Sequence, residues 1–208
     1  MTNRQKAALE TKRRLLETGE RMIAEQGFSN VSIDDIVKAC GVARGTFYTY
    51  FKNKEDIVQA ISRQPFGEIE VEIREMDCGI QEKLCYYVKE FTKRVQQHGL
   101  KITQQWVKNV IDPDAVPEDK DGKKLDYDLE ALRGILETGV DKGELSKTTP
   151  VQKITNLIIS QLYGIMTCWC MSNGTFETES LLEDYCEIQL KTLLARYINK
   201  EELNDDDI

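Results

Sequence analysis

The sequence predicts an all-α fold of about nine helices, and three observations support this prediction. Apolar residues recur at helical spacing along most of the 208 residues, beginning with Leu9, Leu15, Leu16, Met22 and Ile23. Only four residues are proline, and the alternation typical of strands is confined to short runs. Helix start and stop signals divide the chain into three N-terminal helices and a larger helical body.

The first helix is predicted over residues 4–26, where apolar residues follow helical spacing. Gly19, inside this helix, costs about 1 kcal/mol relative to alanine. Gly27 stands where the end of a helix favours a left-handed residue, and Phe28 is placed to contact Ile23. We therefore expect the first helix to end in a Schellman motif.

A pair of start and stop signals frames the second helix. Ser32 is a good N-cap, and Asp35 stands three residues later to complete a capping box. Gly41 ends this helix after about two turns, and a third helix begins at residue 43 or 44 and ends at 50 or 51. Two short helices joined through a glycine in this way indicate a helix-turn-helix.

The third helix has two different faces on a helical wheel. Phe47 and Phe51 fall on one face, which we expect to enter the core. The other residues of interest are small or hydroxylated and lie opposite or on the flanks: Gly45, Thr46, Tyr48, Thr49 and Tyr50. Small residues allow close approach to a DNA major groove, and hydroxyl groups can donate to phosphates and base edges. The alternative is a helical hairpin whose polar face is only solvated.

The rest of the chain is predicted to be helical with few interruptions. Asn53 is expected to cap a fourth helix, and Pro65 to kink or break it. Residues 68–77 are expected to resume this helix, and further helices are predicted over residues 80–97, 100–111, 123–142, 150–172 and 178–200. Residues 112–122 are polar and contain proline, which predicts a mobile loop. We place a helix-turn-helix domain at residues 1–53, a helical body at 54–203 and a disordered acidic tail at 204–208.

The charge of the chain is unevenly distributed between its two parts. Residues 1–63 hold 11 basic and 8 acidic residues, whereas residues 64–208 hold 17 basic and 28 acidic residues. A basic head on an acidic body indicates that only the head meets a polyanion such as double-stranded DNA.

Several classes of protein are disfavoured by what the sequence lacks. No apolar run approaches about 18 residues, and the N-terminus has no signal-peptide core, so we expect a cytoplasmic protein without a membrane partner. No GxSxG, Walker A or HExxH string is present, so we expect neither an enzyme nor a cofactor. One histidine and six cysteines without a CxxC pair predict no metal site. A calcium-like loop has Pro117 at its first ligand position and Asp128 at its last, which is a poor match.

The stretch "IDDIVKACGVARGTFYTYFKNKEDIV", residues 33–58, closely resembles the DNA-binding head of the tetracycline-repressor (TetR) family of transcription regulators. It is preceded by "GFSNVS", and the resemblance runs from about residue 8 to residue 60. The residues in register with the family pattern are Gly27, Ser32, Ile36, Gly41, Val42, Thr46, Tyr48, Phe51 and Lys54. This resemblance implies an N-terminal three-helix DNA-binding head joined to a larger helical body.

The resemblance implies that nine residues contact DNA. They are Ser32, Ala43, Arg44, Gly45, Thr46, Tyr48, Tyr50, Lys52 and Lys54. Ser32 and Lys54 are expected to bond phosphates, the latter with the help of a helix N-terminus. Thr46 and Tyr48 are expected to contact the DNA backbone and thymine methyl groups. Arg44 is the best candidate for a guanine contact, since it occupies one of the variable positions that read bases.

Two residues depart from the family pattern. The cap of the third helix is often Ser or Thr in the family, but here it is Ala43, and the loss of such a cap costs about 1 kcal/mol. Val37 stands where the family often has alanine, at the crossing of the second and third helices. Gly45 and Tyr50 join Arg44 at the variable base-reading positions.

The resemblance also implies that the helical body forms a homodimer and binds a small-molecule effector. The last two predicted helices are apolar over more than one face, which either a partner subunit or a wholly internal pairing could cover. The expected dimer residues are Ile158, Leu162, Ile165, Leu181, Tyr185 and Ile188. The expected pocket residues are Tyr86, Trp106, Tyr127, Tyr163, Met166 and Trp169.

The function implied by the resemblance is a one-component regulator, with repression favoured over activation. A homodimer would bind a palindromic operator and leave it when the effector binds, through the fourth helix. The alternative is an architectural DNA-binding protein whose body binds a protein partner instead of a small molecule. A body without a pocket would favour that alternative.

Overall fold

The computed structural model describes residues 2–112 and 124–199, without the side chains of residues 62–67. These residues form ten α-helices and no strand, with one isolated antiparallel bridge between Leu145 and Ile198. The helices are α1 (Asn3–Gln26), α2 (Ile33–Cys40), α3 (Arg44–Tyr50), α4 (Glu55–Glu75), α5 (Ile80–Gln97), α6 (Leu100–Ile111), α7 (Lys124–Asp141), α8 (Val151–Met171), α9 (Glu179–Asp184) and α10 (Lys191–Leu194). The all-α prediction is therefore confirmed.

The chain divides into two compact units that are discontinuous in sequence. The first contains Met1–Pro65 and Val95–Asp121, and the second contains Phe66–Arg94 and Gly122–Ile208. The expected domain boundaries at residues 53/54 and 203/204 stay predictions. The expected tail and all but the first residue of the expected loop lie outside the described residues.

In the first unit, α1 packs against α2 and α6. Leu15 and Ile23 of α1 and Ile36 of α2 are fully buried in this core. Gly19 brings α1 close to α4, since a Cβ atom there would lie 3.0 Å from Cδ1 of Ile57. The glycine that lowers helix propensity thus provides the space that the fourth helix occupies.

The predicted signals around α2 are confirmed. The Ser32 hydroxyl accepts from the Asp35 N–H at 3.1 Å, and the Asp35 carboxylate accepts from the Ser32 N–H at 2.9 Å. Gly41 is left-handed (φ 66°, ψ 34°), and Val42 N–H donates to the Val37 carbonyl at 3.0 Å. Together with the Gly41 bond to the Lys38 carbonyl, this forms a Schellman motif.

The end of α1 differs from the prediction. Gly27 has the expected positive φ of 90°, but its ψ of 149° is extended rather than left-handed helical. Its N–H donates to the Ile23 carbonyl at 2.8 Å, and the chain then enters a 3₁₀ turn over Phe28–Asn30. The Schellman motif expected here is therefore wrong, because the extended ψ directs the next N–H away from the helix.

Of the two effects predicted for Pro65, a kink or a break of the fourth helix, the break is wrong. Helix α4 continues without interruption from Glu55 to Glu75. An interior proline removes one backbone hydrogen bond and crowds the preceding turn, at a cost of about 3 kcal/mol. Ile61 and Ile69, on either side of Pro65, are fully buried. Burial of each such side chain contributes about 1.5–3 kcal/mol, which offsets this cost.

In the second unit, α7 and α8 pack against each other. Leu132 and Leu136 of α7, and Ile158 and Leu162 of α8, are fully buried. The last predicted helix, over 178–200, is divided in the structure into α9, a π-helical stretch at Tyr185–Leu190, and α10. A π-helical turn adds a residue to the helical repeat, which is a feature that apolar spacing alone does not reveal.

Helix α8 is long and apolar enough, by length and composition, to cross a membrane. Polar residues such as Lys153, Asn156 and Gln161 interrupt it, so it contains no unbroken apolar run of about 18 residues, in agreement with the sequence analysis. Half of its most apolar window is buried inside the protein, where Ile158, Leu162 and Met166 are fully covered. Burial in a helical core accounts for this composition without a bilayer.

Replacing Ser32 with alanine should lower the free energy of unfolding by about 1 kcal/mol, because the α2 N-terminus loses its capping bond. Urea unfolding followed by circular dichroism measures this change. Ser29→Ala is the matched control, since Ser29 is exposed and its hydroxyl has no partner in the described part of the chain. Equal effects of the two substitutions would contradict the capping role.

Candidate nucleic-acid interface

Helix α3 buries one face and exposes the other, as predicted. Phe47 and Phe51 are 0% and 4% exposed, with ring centroids 5.4 Å apart. Tyr48 packs edge-on against Phe47 at 5.6 Å and keeps 48% of its surface exposed. On the opposite face Gly45 is exposed, and a Cβ atom there would meet nothing within 4 Å. The buried side chains of Phe47 and Phe51 therefore support an open face of small and polar groups.

Arg44, the expected guanine reader, is held by two neighbours. Its Nη1 donates to both carboxylate oxygens of Asp34, at 2.8 and 2.7 Å. Its Nη2 lies 3.4 Å from the Tyr48 hydroxyl, and the guanidinium carbon lies 5.9 Å from the centre of that ring. The hydrogen bond to Tyr48 and the charge of Asp34 raise the pKa of Arg44. The side chain of Arg44 is therefore fully charged and already oriented before the protein binds DNA.

Ala43 begins α3 without a side-chain cap, as the sequence predicted. Its backbone is extended (φ −72°, ψ 150°), and only its carbonyl bonds into the helix, accepting from Thr46 N–H at 2.9 Å. The first N–H groups of α3 are therefore left for water or for a phosphate. The other helix of this motif, α2, has its capping box complete.

Lys54 has a structural role that the sequence did not reveal. Its ammonium donates to the carbonyls of Phe28 and Val31, the latter at 2.6 Å, and lies 4.0 Å from the centre of the Phe28 ring. Partial burial lowers the pKa of this ammonium, against the charge of Glu55. Two of its three N–H donors hold the 3₁₀ turn to α4, which leaves one for a phosphate.

The remaining polar residues expected to contact DNA differ in how exposed they are and in whether their polar groups already have partners. The Ser32 hydroxyl accepts from the Asp35 N–H and donates to the Asp35 carboxylate. The bonds that this carboxylate accepts from the hydroxyl and from the backbone N–H of Ser32 lower the pKa of Asp35. Lys52 is exposed, and its ammonium has no partner within residues 2–112 and 124–199. Thr46 and Tyr50 are half-buried. Lys52 is therefore the most available cation of the expected set.

Sequence reasoning missed two side chains at this site. Asp34, in the first turn of α2, pairs directly with Arg44. Arg14 of α1 donates through Nη2 to the Cys40 carbonyl at the end of α2. Both contacts join residues that are distant in sequence, so local spacing gives no signal for either.

A cavity of about 680 Å³ lies within the second unit, in the size range typical of ligand sites. Ile73, Ile80 and Ile135 supply apolar lining, and Lys142 supplies a cation. Its other lining residues are Glu70, Arg74, Lys83, Tyr127, Glu130, Ala131, Gly134, Thr138, Gly139 and Glu144. On α7 the lining repeats every three or four residues and includes small side chains, which leave room beside the helix.

Of the six residues expected to form an effector pocket, Tyr127 alone lines this cavity. The Tyr86 hydroxyl donates to Glu72 at 3.0 Å, and the Tyr163 hydroxyl donates to buried Asp128 at 2.7 Å. Met166 is fully buried, Trp169 is half-buried, and Trp106 belongs to the first unit. The aromatic residues in the sequence were thus a signal for the core, whereas the cavity is lined by small residues on α7.

The expected dimer residues are mostly covered by their own chain. Ile158, Leu162, Ile165 and Tyr185 are at most 4% exposed, so in this structure they have almost no surface to offer a partner. Leu181 is half-buried, and Ile188 is 63% exposed. The apolar residues of α8 that do face outward, Leu157 and Met171, are 56% and 81% exposed.

Among residues 2–112 and 124–199, no group of three or more His, Cys, Asp and Glu side chains could hold a metal ion. The buried carboxylate Asp128 is instead paired with the ammonium of Lys124 and with Tyr163. This arrangement satisfies the buried charge through hydrogen bonds, as burial requires.

Two family models match this chain in succession. The model for bacterial regulatory proteins of the tetR family matches residues 15–61, and the model for the C-terminal region of YsiA-like proteins matches residues 66–192. The first therefore contains α2 and α3, and the second contains the cavity. Together they account for both halves of the chain.

Curated relatives and solved structures resemble the chain over most of its length. It is 28% identical to the fatty acid metabolism regulator protein of Bacillus subtilis (strain 168), over 84% of this chain and 91% of that protein. It is 24% identical to the HTH-type transcriptional regulator AcrR of Shigella flexneri, over 90% and 91%. The structure of FadR from Bacillus subtilis in complex with stearoyl-CoA has a TM-score of 0.61 at 23% identity, covering 88% of this chain and 97% of that one. A putative TetR-family regulator from Syntrophomonas wolfei has a TM-score of 0.69 at 23% identity, covering 89% and 95%.

Replacing Lys54 with methionine should lower the free energy of unfolding by about 1–2 kcal/mol, because two carbonyls lose their charged donor. Lys52→Met is the matched control and should leave the stability unchanged, since its ammonium is exposed and unpaired in the described residues. Urea unfolding measures both changes. A Lys54→Met variant as stable as the wild type would contradict the structural role of Lys54.

Proposed function

Because the chain belongs to the TetR family of bacterial transcriptional regulators, we propose that it is a ligand-responsive repressor that binds a palindromic operator as a homodimer. Membership of this family makes it a DNA-binding regulator and not an enzyme. Its place of action is the cytoplasm, where the DNA lies.

The observation that carries the DNA-binding part is the exposed face of α3, supported by buried Phe47 and Phe51. A recognition helix needs small residues for close approach to the major groove and donors for base edges. Gly45 allows the close approach to the groove, and Arg44 and Tyr48 supply the donors for base edges. Lys52 and the uncapped N-terminus of α3 supply contacts to phosphates, which position the helix.

An exposed stripe on α8 supports the homodimer. Leu157, Gly164, Cys168 and Met171 are all exposed, and their spacing of 7, 4 and 3 residues places them on one face of the helix. Apolar residues exposed in such a stripe favour burial against another surface. We assign this stripe and Ile188 to the dimer interface, instead of the buried residues Ile158, Leu162, Ile165 and Tyr185. A second copy offers the same stripe and can cover it symmetrically.

The cavity in the second unit supports a small-molecule effector over a protein partner. It combines apolar residues with three cationic and three acidic side chains. Arg74 pairs with Glu70 and Lys83 with Glu144, whereas the Lys142 ammonium has no partner in the described residues and is the cation left for a ligand. An amphipathic ligand with an apolar chain and an anionic head matches this mixture. The relative from Bacillus subtilis is named a regulator of fatty acid metabolism, and the FadR structure contains stearoyl-CoA. We assign the effector to the long-chain acyl-CoA class.

The effector would weaken operator binding through α4, which contributes residues to both compact units. Linkage requires that the effector and the operator oppose each other equally. If acyl-CoA lowers operator affinity by a given factor, the operator lowers acyl-CoA affinity by the same factor. This reciprocity can be tested with DNA and ligand titrations in either order.

Replacing Arg44 with alanine should lower operator affinity by about 5- to 100-fold, because one bidentate base contact is lost. The operator is first selected by the wild-type protein from randomised duplexes, and affinity is then measured by gel shift. Arg21→Ala is the matched control, because it also removes an exposed arginine, but one that lies on α1 outside the helix-turn-helix and pairs with Glu25 at 3.9 Å. Unchanged affinity and base preference in Arg44→Ala would rule out the base-reading role.

Stearoyl-CoA should release the protein from its operator, whereas coenzyme A without an acyl chain should not. Gly134→Phe should abolish this release, because Gly134 lines the cavity and has open space where its side chain would begin. Leu125→Phe is the control and should respond like the wild type, because Leu125 is exposed, does not line the cavity and lies nine residues, or about 180°, away from Gly134 on the same helix. Fluorescence anisotropy of a labelled operator measures the release. Full response in Gly134→Phe would exclude this cavity as the effector site.

A further inference from the structure

We propose that Asp34 is a specificity-determining residue that acts on DNA recognition through Arg44. The inference rests on the proposed DNA-binding function and deepens it. The carboxylate of Asp34 prevents Arg44 from binding phosphates at arbitrary positions, and it orients the free edge of the Arg44 guanidinium towards a base.

The geometry assigns Arg44 to Asp34 rather than to any other acid nearby. Asp34 lies in the first turn of α2 and Arg44 is the first residue of α3, so the pair bridges the two helices of the motif. Both Asp34 oxygens accept from Nη1 of Arg44, at 2.8 and 2.7 Å. The neighbouring carboxylate of Asp35 is directed to Ser32 instead.

The contact leaves part of the guanidinium available. Asp34 occupies Nη1, and Nε of Arg44 has no acceptor within residues 2–112 and 124–199. Nη2 has a long bond of 3.4 Å to the Tyr48 hydroxyl and a second hydrogen beyond it. The edge formed by Nε and Nη2 can therefore meet the O6 and N7 acceptors of a guanine while Asp34 stays in place.

Charge explains why this contact would affect specificity. An exposed arginine binds any phosphate of the DNA backbone, and such binding contributes equally to all sequences. The side chains of Arg44 and Asp34 are 57% and 63% exposed, so both lie where a phosphate could approach. The negative charge of Asp34 opposes that approach, whereas a guanine edge is neutral and is not repelled in the same way.

The test compares operator affinity with affinity for a scrambled duplex of the same length, for the wild type and Asp34→Asn. We expect the ratio of the two affinities to fall at least about fivefold in Asp34→Asn. Affinity for the scrambled duplex should rise, and its salt dependence should steepen by about 0.9 in log–log slope, as one more phosphate is contacted. Asp34→Glu, which keeps the charge, should restore most of the ratio.

Two controls separate this role from general electrostatics and from folding. Glu17→Gln removes one exposed acid and its ion pair with Arg13 from α1, and should leave the affinity ratio unchanged. In an Arg44→Ala background, Asp34→Asn should no longer change the ratio, because its effect passes through the arginine. Circular dichroism confirms that each variant is folded.

The outcomes distinguish this inference from the function on which it rests. A wild-type protein that prefers no sequence overturns the proposed function and this inference together. A wild type with a clear preference, combined with an unchanged ratio in Asp34→Asn, overturns the inference alone. The same fall in ratio with and without Arg44 also overturns it, since Asp34 would then act by another route.

Discussion

The burial of Phe47 and Phe51 is the constraint on which the DNA-binding face depends. Helix α3 is seven residues long and begins without a side-chain cap, so it is too short to be stable alone in water. Two fully or nearly buried phenylalanines contribute about 1.5–3 kcal/mol each by leaving water. They fix the rotation of the helix about its axis, and this rotation determines that Gly45 and Arg44 face outward. The chemistry of the open face is therefore set by residues that never touch DNA.

Each compact unit also contains a glycine that allows a neighbouring side chain to pack closely against a helix. Gly19 admits Ile57 in the first unit, and Gly139 admits Ile80 in the second, where an added Cβ would lie 3.0 Å from the isoleucine in both cases. Each glycine lowers the intrinsic helix propensity of its own segment. The close packing that it permits compensates for that loss through buried apolar surface. On α7 the same type of residue, at Gly134, borders the cavity instead of a packed side chain.

Local signals in the sequence were sufficient for most of the fold. The capping box at Ser32, the left-handed turn at Gly41 and the inward face of α3 all follow from residues within a few positions of one another. What failed depends on distant partners. Pro65 does not end α4, because buried isoleucines on both sides stabilise the helix. Lys54 is tied to the carbonyls of Phe28 and Val31, which lie more than twenty residues earlier.

The second unit shows why a site is harder to predict than a helix. The range of α8 could be predicted from its apolar spacing, but a helix apolar on several faces does not reveal which face its own chain covers. The structure shows Ile158 and Leu162 covered and Leu157 exposed, which moves the expected dimer face by about one residue, or about 100° around the helix. Aromatic residues were an equally ambiguous signal, since most of them fill the core.

An acidic protein has few free cationic side chains with which to bind a polyanion. Residues 1–63 show how these side chains are used. The 28 acidic residues beyond residue 63 outnumber the basic ones there, so long-range attraction to DNA comes from the first 63 residues. Within that head, Lys54 is engaged with backbone carbonyls and Arg44 with a carboxylate. In the proposed complex with DNA, phosphate binding would therefore be left to exposed groups such as Lys52, whereas Arg44, the cation proposed to read a base, is held in an internal pair. Such a division would lower non-specific affinity while it preserves the ability to read sequence, because the two kinds of contact would use different side chains.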